Sequence, residues 1–142
     1  MKWLFDSSVL VAVFYADHVH HVPSARAFRA ATKEDFCAVH TLAEVYATLT
    51  GLPVRPRITG AEGIAIIKQI RDRLSLVALD DTEYVSALES ASEKIVGGAA
   101  YDALIAHCAL KAQVQTLLTW NVNDFTRMRA EITRLVKTPD TL

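Results

Sequence analysis

The chain has 142 residues, of which 51% are hydrophobic and 22% are charged, and its formal net charge at pH 7 is -1. A chain of this size buries roughly two-thirds of its unfolded surface, which predicts one domain over residues 1–142. The balance of charges excludes the broad positive field of a strongly basic nucleic-acid binder, so nucleic-acid contact requires local basic patches or bound cations. The apolar runs are shorter than the ~18 residues of a membrane span and no signal-peptide pattern is present, so we expect a cytoplasmic protein without a membrane partner.

Hydrophobic spacing predicts short strands that alternate with helices along the whole chain. The predicted elements, in chain order, are a strand at 2–5, helices at 9–15 and 23–31, a strand at 36–39, helices between 41 and 51 and at 60–74, a strand at 75–79, helices at 82–95 and 99–111, and strands at 116–119 and 134–137. The basic, proline-containing segment 52–57 is typical of a loop, and the polar segment 121–124 is typical of a turn. This alternation predicts an α/β fold, a three-layer α/β/α sandwich with a mostly parallel central sheet.

Several predicted helices begin with acidic or hydroxyl residues that can cap them. Asp6 and the two serines after it separate the first strand from the next helix, and Thr41 with Glu44 has the spacing of a capping box. This spacing predicts that Glu44 lies in the first turn of its helix. Asp102 lies near the start of an almost entirely apolar helix, which we expect close to the centre of the fold.

The acidic residues are expected to meet at one edge of the sheet, because the ligand site of an open parallel sheet lies beyond the carboxyl ends of its strands. Each acid taken alone is explained as a helix cap, a favourable charge at a helix N-terminus or a turn residue. Taken together, four carboxylates at one edge would raise one another's pKa unless a cation lay between them. The four are Asp6, Glu44, Asp102 and Asp124. Hard oxygen ligands of this kind favour Mg²⁺ or Mn²⁺.

Four segments resemble the ordered motifs of PIN-domain nucleases. They are Phe5-Asp6-Ser7-Ser8-Val9-Leu10-Val11-Ala12, Thr41-Leu42-Ala43-Glu44-Val45-Tyr46, Tyr101-Asp102-Ala103-Leu104-Ile105-Ala106 and Leu118-Thr119-Trp120-Asn121-Val122-Asn123-Asp124-Phe125. The size of the chain and segment 47–53 resemble the VapC toxins of bacterial toxin-antitoxin pairs. The resemblance covers nearly the whole chain, and the order and spacing of the motifs together are specific. It implies a PIN-like fold and a metal-dependent endoribonuclease that cleaves single-stranded or loop RNA.

The resemblance implies that the four carboxylates are both the catalytic residues and the metal ligands. Asp6 and Asp102 are expected to hold the principal Mg²⁺ or Mn²⁺. Glu44 and Asp124 are expected to place a second ion or the attacking water, because phosphodiester hydrolysis requires an activated water and stabilisation of charge on the phosphate.

The fourth position has two candidates in this chain. Many relatives have an Asp where this chain has Asn121, whereas others resemble it in using the later residue, here Asp124. Asn121 offers a neutral oxygen that can orient a water, but it cannot supply the charge. Thr119 and Ser7 are further candidates for supporting the ligands or orienting water.

The resemblance also implies partners. Besides the RNA substrate, they are a small antitoxin encoded nearby, which occludes the acidic cleft, and a second copy of this chain in a homodimer. An antitoxin arginine can replace the charge of the metal by bidentate pairing with the carboxylates. Apolar content on at least one helix face exceeds what a monomer of this size needs, which agrees with the dimer.

Other polar and aromatic residues have two interpretations each. Four arginines either bind the RNA backbone or are solvated surface residues. They are Arg26, Arg29, Arg55 and Arg57. Trp120 either stacks on a base or packs under the last strand. The histidine-rich segment 18–21 is predicted to be a solvated loop or a helix lead-in rather than a zinc site.

Two other enzyme or signalling classes share part of this residue pattern. In a receiver-like phosphoacceptor domain Asp80, Thr119 and Lys137 would lie at strand ends, but the acidic pair after the first strand is missing. A haloacid-type phosphatase requires an acid two residues after Asp6, where this chain has Ser8. A catalytically silent PIN scaffold that only binds RNA is the non-enzymatic alternative, and the presence of all four acids argues against it.

Overall fold

The computed structural model describes residues 2–142. Its strands are β1 (Trp3–Phe5), β2 (Phe36–Ala38), β3 (Ser75–Val77), β4 (Thr116–Leu118) and β5 (Val136–Lys137). Its α helices are α1 (Ser7–Phe14), α2 (His21–Ala30), α3 (Val39–Thr50), α4 (Gly60–Arg73), α5 (Asp81–Ala91), α6 (Ala100–Lys111), α7 (Val122–Thr126) and α8 (Ala130–Thr133), with 3-10 turns at Gly97–Ala99 and Pro139–Thr141. Within residues 2–142, no helix has both the length and the apolar character to cross a membrane.

The five strands form one parallel sheet in the order β3-β2-β1-β4-β5. The chain moves outward from β1 to β3 on one side of the sheet and then returns to β4 on the other side of β1. The strand order therefore reverses beside β1, and such a switch point opens a crevice at the carboxyl ends of the strands. Asp6, the residue after β1, lies at this point.

Helices cover both faces of the sheet, as expected for parallel strands. Successive side chains of a strand point to opposite faces, and in β1 Phe5 belongs to one apolar cluster and Leu4 to another. Phe28 from α2 lies in the first cluster, whereas Ile105 from α6 and Phe125 from α7 lie in the second. The predicted three-layer α/β/α sandwich with a parallel sheet is confirmed.

The strand order contradicts the receiver-like alternative. Receiver domains have the order 2-1-3-4-5, with the third strand at the centre, whereas β3 is an edge strand here. Asp80, the supposed phosphoacceptor after β3, instead accepts a hydrogen bond from the Glu83 backbone amide (2.8 Å) and caps α5. The predicted cap after this strand is thus confirmed, and Asp80 is engaged in holding its helix.

The capping prediction for α3 was wrong. The helix begins at Val39, directly after β2 and without a connecting loop, so Ala38 is its N-cap residue. Thr41 is the third residue of the helix, and its buried hydroxyl has no hydrogen-bond partner in the part of the chain that the structure describes. Glu44 consequently lies in the second turn, and its side chain is free of any capping role.

The turn predicted at 121–124 is also corrected. Residues Val122–Thr126 form the short helix α7, which places Asp124 in a first turn, and α8 follows at residues for which no helix was predicted. Helices of four or five residues are too short to show a clear period in sequence, because one turn already takes 3.6 residues.

The apolar face of helix α5 is exposed to solvent. Tyr84, Val85 and Leu88 are 42%, 54% and 37% exposed, and Ala87 is the buried residue of this helix. Apolar spacing predicts the helix, but which face meets the core depends on where α6 lies. The exposed face of α5 remains available for a protein partner.

The contact between α3 and α4 predicts an unfavourable Gly63→Ala substitution. A Cβ atom at Gly63 would lie 2.9 Å from Tyr46 ring carbons and from the Thr50 methyl group. Alanine favours a helix over glycine by about 1 kcal/mol, but overpacking costs about 1–3 kcal/mol. We expect the melting temperature of Gly63→Ala to fall by a few degrees. The matched control is Gly98→Ala, which meets no atom within 4 Å and should leave it unchanged. An unchanged or higher melting temperature for Gly63→Ala would contradict the close packing.

Candidate active site

Asp6 is a buried carboxylate at the end of the central strand. It is 1% exposed, and its Oδ2 accepts hydrogen bonds from Thr119 Oγ1 (2.7 Å) and Ser8 Oγ (2.8 Å). The two hydroxyls in turn accept hydrogen bonds from the backbone amides of Asn121 (2.9 Å) and Trp120 (3.0 Å). Each hydroxyl has one proton to donate, so these backbone donors direct both protons toward Asp6.

The Asp6 side chain does not have the helix-capping role predicted for it. Asp6 is the N-cap residue of α1 by position, but its side chain makes no capping hydrogen bond. Its carboxylate contacts the end of β4 instead, because β1 and β4 are neighbouring parallel strands. Thr119, one of the predicted supporting residues, donates its hydroxyl to Asp6. Ser8 provides the second hydroxyl, whereas Ser7 makes no side-chain hydrogen bond within residues 2–142.

Glu44 and Asp102 come from opposite helical layers and share an electrostatic environment with Asp6. Burial, together with smaller contributions from the charges of Asp6 and Asp102, raises the pKa of Glu44 to about 7. Burial likewise raises the pKa of Asp102 to about 6, with contributions from Asp6 and Asp124, while Arg127 lowers it. The pKa of Asp6 is also raised by burial, against the lowering effect of the Thr119 and Ser8 hydroxyls. Like charges therefore face one another across this edge.

The fourth carboxylate, Asp124, is close enough to Asp102 to affect its ionisation. Its charge raises the pKa of Asp102, and its Oδ1 lies 3.9 Å from Arg127 Nη2. Asn121, the alternative for the fourth position, is exposed and donates its backbone amide to Thr119. Arg127 was missed from sequence. Its three-residue spacing from Asp124 indicates a contact only once the segment is known to be a helix.

Two further residues beside the acids were missed. His40 Nε2 lies 3.8 Å from Glu44 Oε1, a contact that the four-residue spacing would predict for a helix starting at Val39 rather than at Thr41. The His40 ring also stacks on Tyr101, with ring centroids 5.0 Å apart and 17° between the planes. Neither His40 Nε2 nor Glu44 Oε1 has a hydrogen-bond partner among the described residues, although both atoms are buried.

The predicted RNA-binding arginines lie at differing distances from the acids. Arg29 is near the end of α2, where its carbonyl accepts a hydrogen bond from Arg73 Nη1 (3.1 Å) at the end of α4. Because α4 leads into the start of β3, this pair lies at the sheet edge opposite Asp6. Arg26 is exposed one turn earlier on α2. Arg55 and Arg57 are exposed in the segment that follows the C-terminal end of α3.

Trp120 and the histidine-rich segment pack on each other. The rings of His20 and Trp120 are stacked, 3.7 Å apart with 8° between the planes, and Trp120 Nε1 donates to Ser24 Oγ (2.8 Å). His21 begins α2, and its Nδ1 lies 2.8 Å from the Ala12 carbonyl. Of the two uses predicted for Trp120, the structure favours packing, and the histidines form a helix lead-in.

The donor set at this edge fits a hard divalent cation. The site contains four carboxylates and a buried Glu44 oxygen without a donor. The pKa values of Glu44 and Asp102 are raised in part by neighbouring acids, so a positive charge would stabilise their ionised forms. No three His, Cys, Asp or Glu side chains in the described part of the chain are grouped closely enough to form a ready-made metal site. The acids are thus electrostatically coupled without being assembled as a closed ligand cage.

The chain is similar to known proteins over most of its length. The model of the PIN domain family matches residues 3–131. Ribonuclease VapC40 of Mycobacterium tuberculosis is 34% identical over 131 residues, covering 89% of this chain and 94% of the relative. The structure of VapBC-1 from nontypeable Haemophilus influenzae has a TM-score of 0.66 at 18% identity and covers 99% of both chains. That of M. tuberculosis VapC20, a toxin that cleaves the sarcin-ricin loop, has a TM-score of 0.65 at 15% identity and covers 81% of this chain and 86% of the other.

The raised pKa of Glu44 predicts a pH-dependent cost in the metal-free protein. Its ordinary value is 4.5 and its folded value is about 7, so the folded chain binds this proton more tightly than the unfolded chain. The free energy of unfolding should therefore fall as the pH rises from about 4.5 to about 7. Glu44→Gln removes the ionisation, so in EDTA its melting temperature should exceed that of wild type more at about pH 8 than at about pH 5.

The matched control is Glu89→Gln on the exposed surface of α5. It should give the same difference from wild type at both pH values. If Glu44→Gln also gave a pH-independent difference, Glu44 would not carry an unrelieved charge in this cleft.

Proposed function

Because the chain belongs to the PIN-domain family, we propose that it is a metal-dependent endoribonuclease and the toxin of a toxin-antitoxin pair. The observation that carries this proposal is the convergence of four carboxylates from separate elements at the carboxyl edge of the sheet. Asp6 raises the pKa of both Glu44 and Asp102, and Asp124 raises that of Asp102. The similarity to a ribonuclease over 89% of this chain supports RNA as the substrate.

The carboxylates are the residues that we assign to metal binding. Asp6 and Asp102 hold the principal Mg²⁺ or Mn²⁺, and Glu44 and Asp124 hold a second ion or the attacking water. Carboxylate oxygens suit both ions, because each is a hard cation that retains water and binds phosphate oxygens. When bound, the metal makes water easier to deprotonate and offsets the charge that develops on the phosphate.

The protein's own groups have distinct tasks in this proposal. Asp6 is a fixed ligand, because Thr119 and Ser8 hold its Oδ2 and burial restricts its motion. Glu44 Oε1 has no donor in the described residues, so it can accept a hydrogen bond from water and take up its proton. Arg127 lies beside Asp124 with half of its side chain exposed, and it can donate to a phosphate oxygen.

The remaining basic residues serve longer RNA substrates. Arg55 and Arg57 lie on an exposed segment, and Arg26 on an exposed helix face. Each can contact the backbone at a distance from the scissile phosphate, where such contacts position the RNA without reading its sequence. Arg29 lies at the opposite sheet edge, so it would contact only RNA that extends around the molecule.

Two protein partners belong to the proposal. The structural neighbours include toxin-antitoxin complexes such as VapBC-1 of H. influenzae, which supports a cognate antitoxin for this chain. A partner arginine inserted among the four carboxylates would relieve their repulsion and block the site. The exposed apolar face of α5 supports a homodimer, since two copies can bury it against each other around a two-fold axis.

The central test is Asp102→Asn. Purified wild-type protein with Mn²⁺ should cleave single-stranded RNA, and EDTA should abolish the cleavage. Asp102→Asn should lose cleavage while its metal-free melting temperature stays equal to or above that of wild type, because the substitution removes a repelling charge. Added Mn²⁺ should raise the melting temperature of wild type by linkage and raise that of the variant far less.

The matched control is Asp81→Asn, which changes an exposed first-turn aspartate of α5. It should keep cleavage and the Mn²⁺ effect. A role of Asp102 limited to its helix N-terminus predicts the opposite pattern, in which Asp102→Asn cleaves RNA normally and responds to Mn²⁺ as wild type does. That pattern would refute the metal assignment.

A second comparison addresses the fourth position. Asp124→Asn should lower kcat at least about 100-fold, because it would remove a ligand of the ion that offsets charge on the phosphate. Asn121→Ala should lower it by about 10-fold, the smaller loss expected of a residue behind the ligand set. A large loss for Asn121→Ala with near-normal activity for Asp124→Asn would assign the position to Asn121 instead.

A further inference from the structure

Tyr101 is an aromatic residue at the rim of the acidic cleft. It is the second residue of α6, directly before Asp102, and it is 50% exposed. Its ring stacks on that of His40, the second residue of α3. The stack therefore joins the two helical layers at the sheet edge where α3 contributes Glu44 and α6 contributes Asp102.

The position of His40 holds the stack beside the acids. Its Nε2 lies 3.8 Å from Glu44 Oε1, and with a 17° angle between the rings it supports one face of Tyr101. The stack is offset, with the ring centroids 5.0 Å apart, and Tyr101 remains 50% exposed. An aromatic ring that is held in place by one neighbour and is still exposed to solvent is a surface on which another flat ring can stack.

Trp120, a second aromatic residue near the acids, is less exposed than Tyr101. Its ring is stacked at 3.7 Å on His20, and its Nε1 is engaged by Ser24. The His20 ring that covers it lies in turn 5.8 Å from that of His18. Among the aromatic residues at this edge, Tyr101 thus has the ring most accessible to a ligand.

We propose that Tyr101, supported by His40, is the stacking site for one unpaired base next to the scissile phosphate. This inference rests on the proposed ribonuclease function and specifies how its substrate is held. Bases of single-stranded RNA stack on aromatic side chains, and because every base has a π face, such a site tolerates different bases. A paired base is already stacked within its helix, so the site selects for an unpaired nucleotide at the cleavage point. Tyr101 contacts the substrate, and His40 is a positioning residue.

The experiment measures cleavage of a single-stranded RNA oligonucleotide that has one cleavage site, with Mn²⁺ present. Tyr101→Ala should raise KM about 5- to 150-fold, the range that loss of one base-aromatic stack produces, and should change kcat less. Tyr101→Phe retains the ring and should retain KM. Tyr101→Leu retains apolar bulk without a π face, so it should resemble the alanine variant in KM and wild type in melting temperature.

Abasic substitutions locate the contacted nucleotide. One abasic residue is introduced at each position flanking the scissile bond in turn. At one position the substitution should lower the kcat/KM of wild type to the level of Tyr101→Ala, and it should have no further effect on that variant. Binding of the same oligonucleotides in EDTA, followed by fluorescence anisotropy, should show the same pattern without any cleavage.

The outcomes separate this inference from the function on which it rests. If wild type cleaves RNA, but Tyr101→Ala and Tyr101→Leu keep its KM and respond equally to every abasic substitution, the stacking site is wrong and the ribonuclease stands. If Tyr101→Phe raises KM as much as Tyr101→Ala does, the hydroxyl group rather than the ring is important and the stacking site is again wrong. If wild type neither cleaves nor binds RNA, the proposed function is refuted together with the stacking site.

Discussion

The buried carboxylate of Asp6 is the constraint on which the rest of the site depends. It lies at the end of the central strand and is 1% exposed, in an environment where an ionised group without partners is strongly unfavourable. The Thr119 and Ser8 hydroxyls compensate, and the Asp6 backbone amide donates to the Leu118 carbonyl (2.9 Å). These bonds join the ends of β1 and β4 to the start of α1. The carboxylate thereby has one orientation, and it faces the cleft where the other acids lie.

The acids around Asp6 illustrate a conflict between stability and function. Glu44 and Asp102 ionise less readily than ordinary carboxyl groups, because burial and neighbouring negative charge oppose ionisation. A fold selected for stability alone would have neutral side chains at these positions. A positive charge in the cleft reverses the effect, since a metal ion or a partner's arginine favours the ionised acids. In the proposed function, the repulsion that weakens the free protein would be the source of its affinity for cations.

The two aromatic stacks flanking the site differ in what they leave open. Trp120 and His20 are packed against each other and anchored to α2 through Ser24, so they stabilise the β4 side of the cleft. Tyr101 and His40 link α6 to α3, and Tyr101 is 50% exposed. The aromatic pair on one side of the cleft is thus partly buried, whereas the pair on the other side presents an exposed tyrosine. In the proposed stacking site, this asymmetry would give an RNA strand a preferred side for its unpaired base.

The sequence by itself determined the alternation of strands and helices, the parallel sheet and the acids that follow its strands, because periodicity and turn chemistry are local properties of the chain. It did not determine that α3 starts at Val39, since a strand that passes directly into a helix has no polar cap residue to mark the boundary. Only the tertiary structure decided that His40 stacks on Tyr101 and that the apolar face of α5 is exposed. It also decided that the hydroxyls of Thr119 and Ser8 both donate to Asp6. These outcomes depend on how elements distant in sequence pack together, and no local pattern of residues encodes the direction from which a neighbouring element arrives.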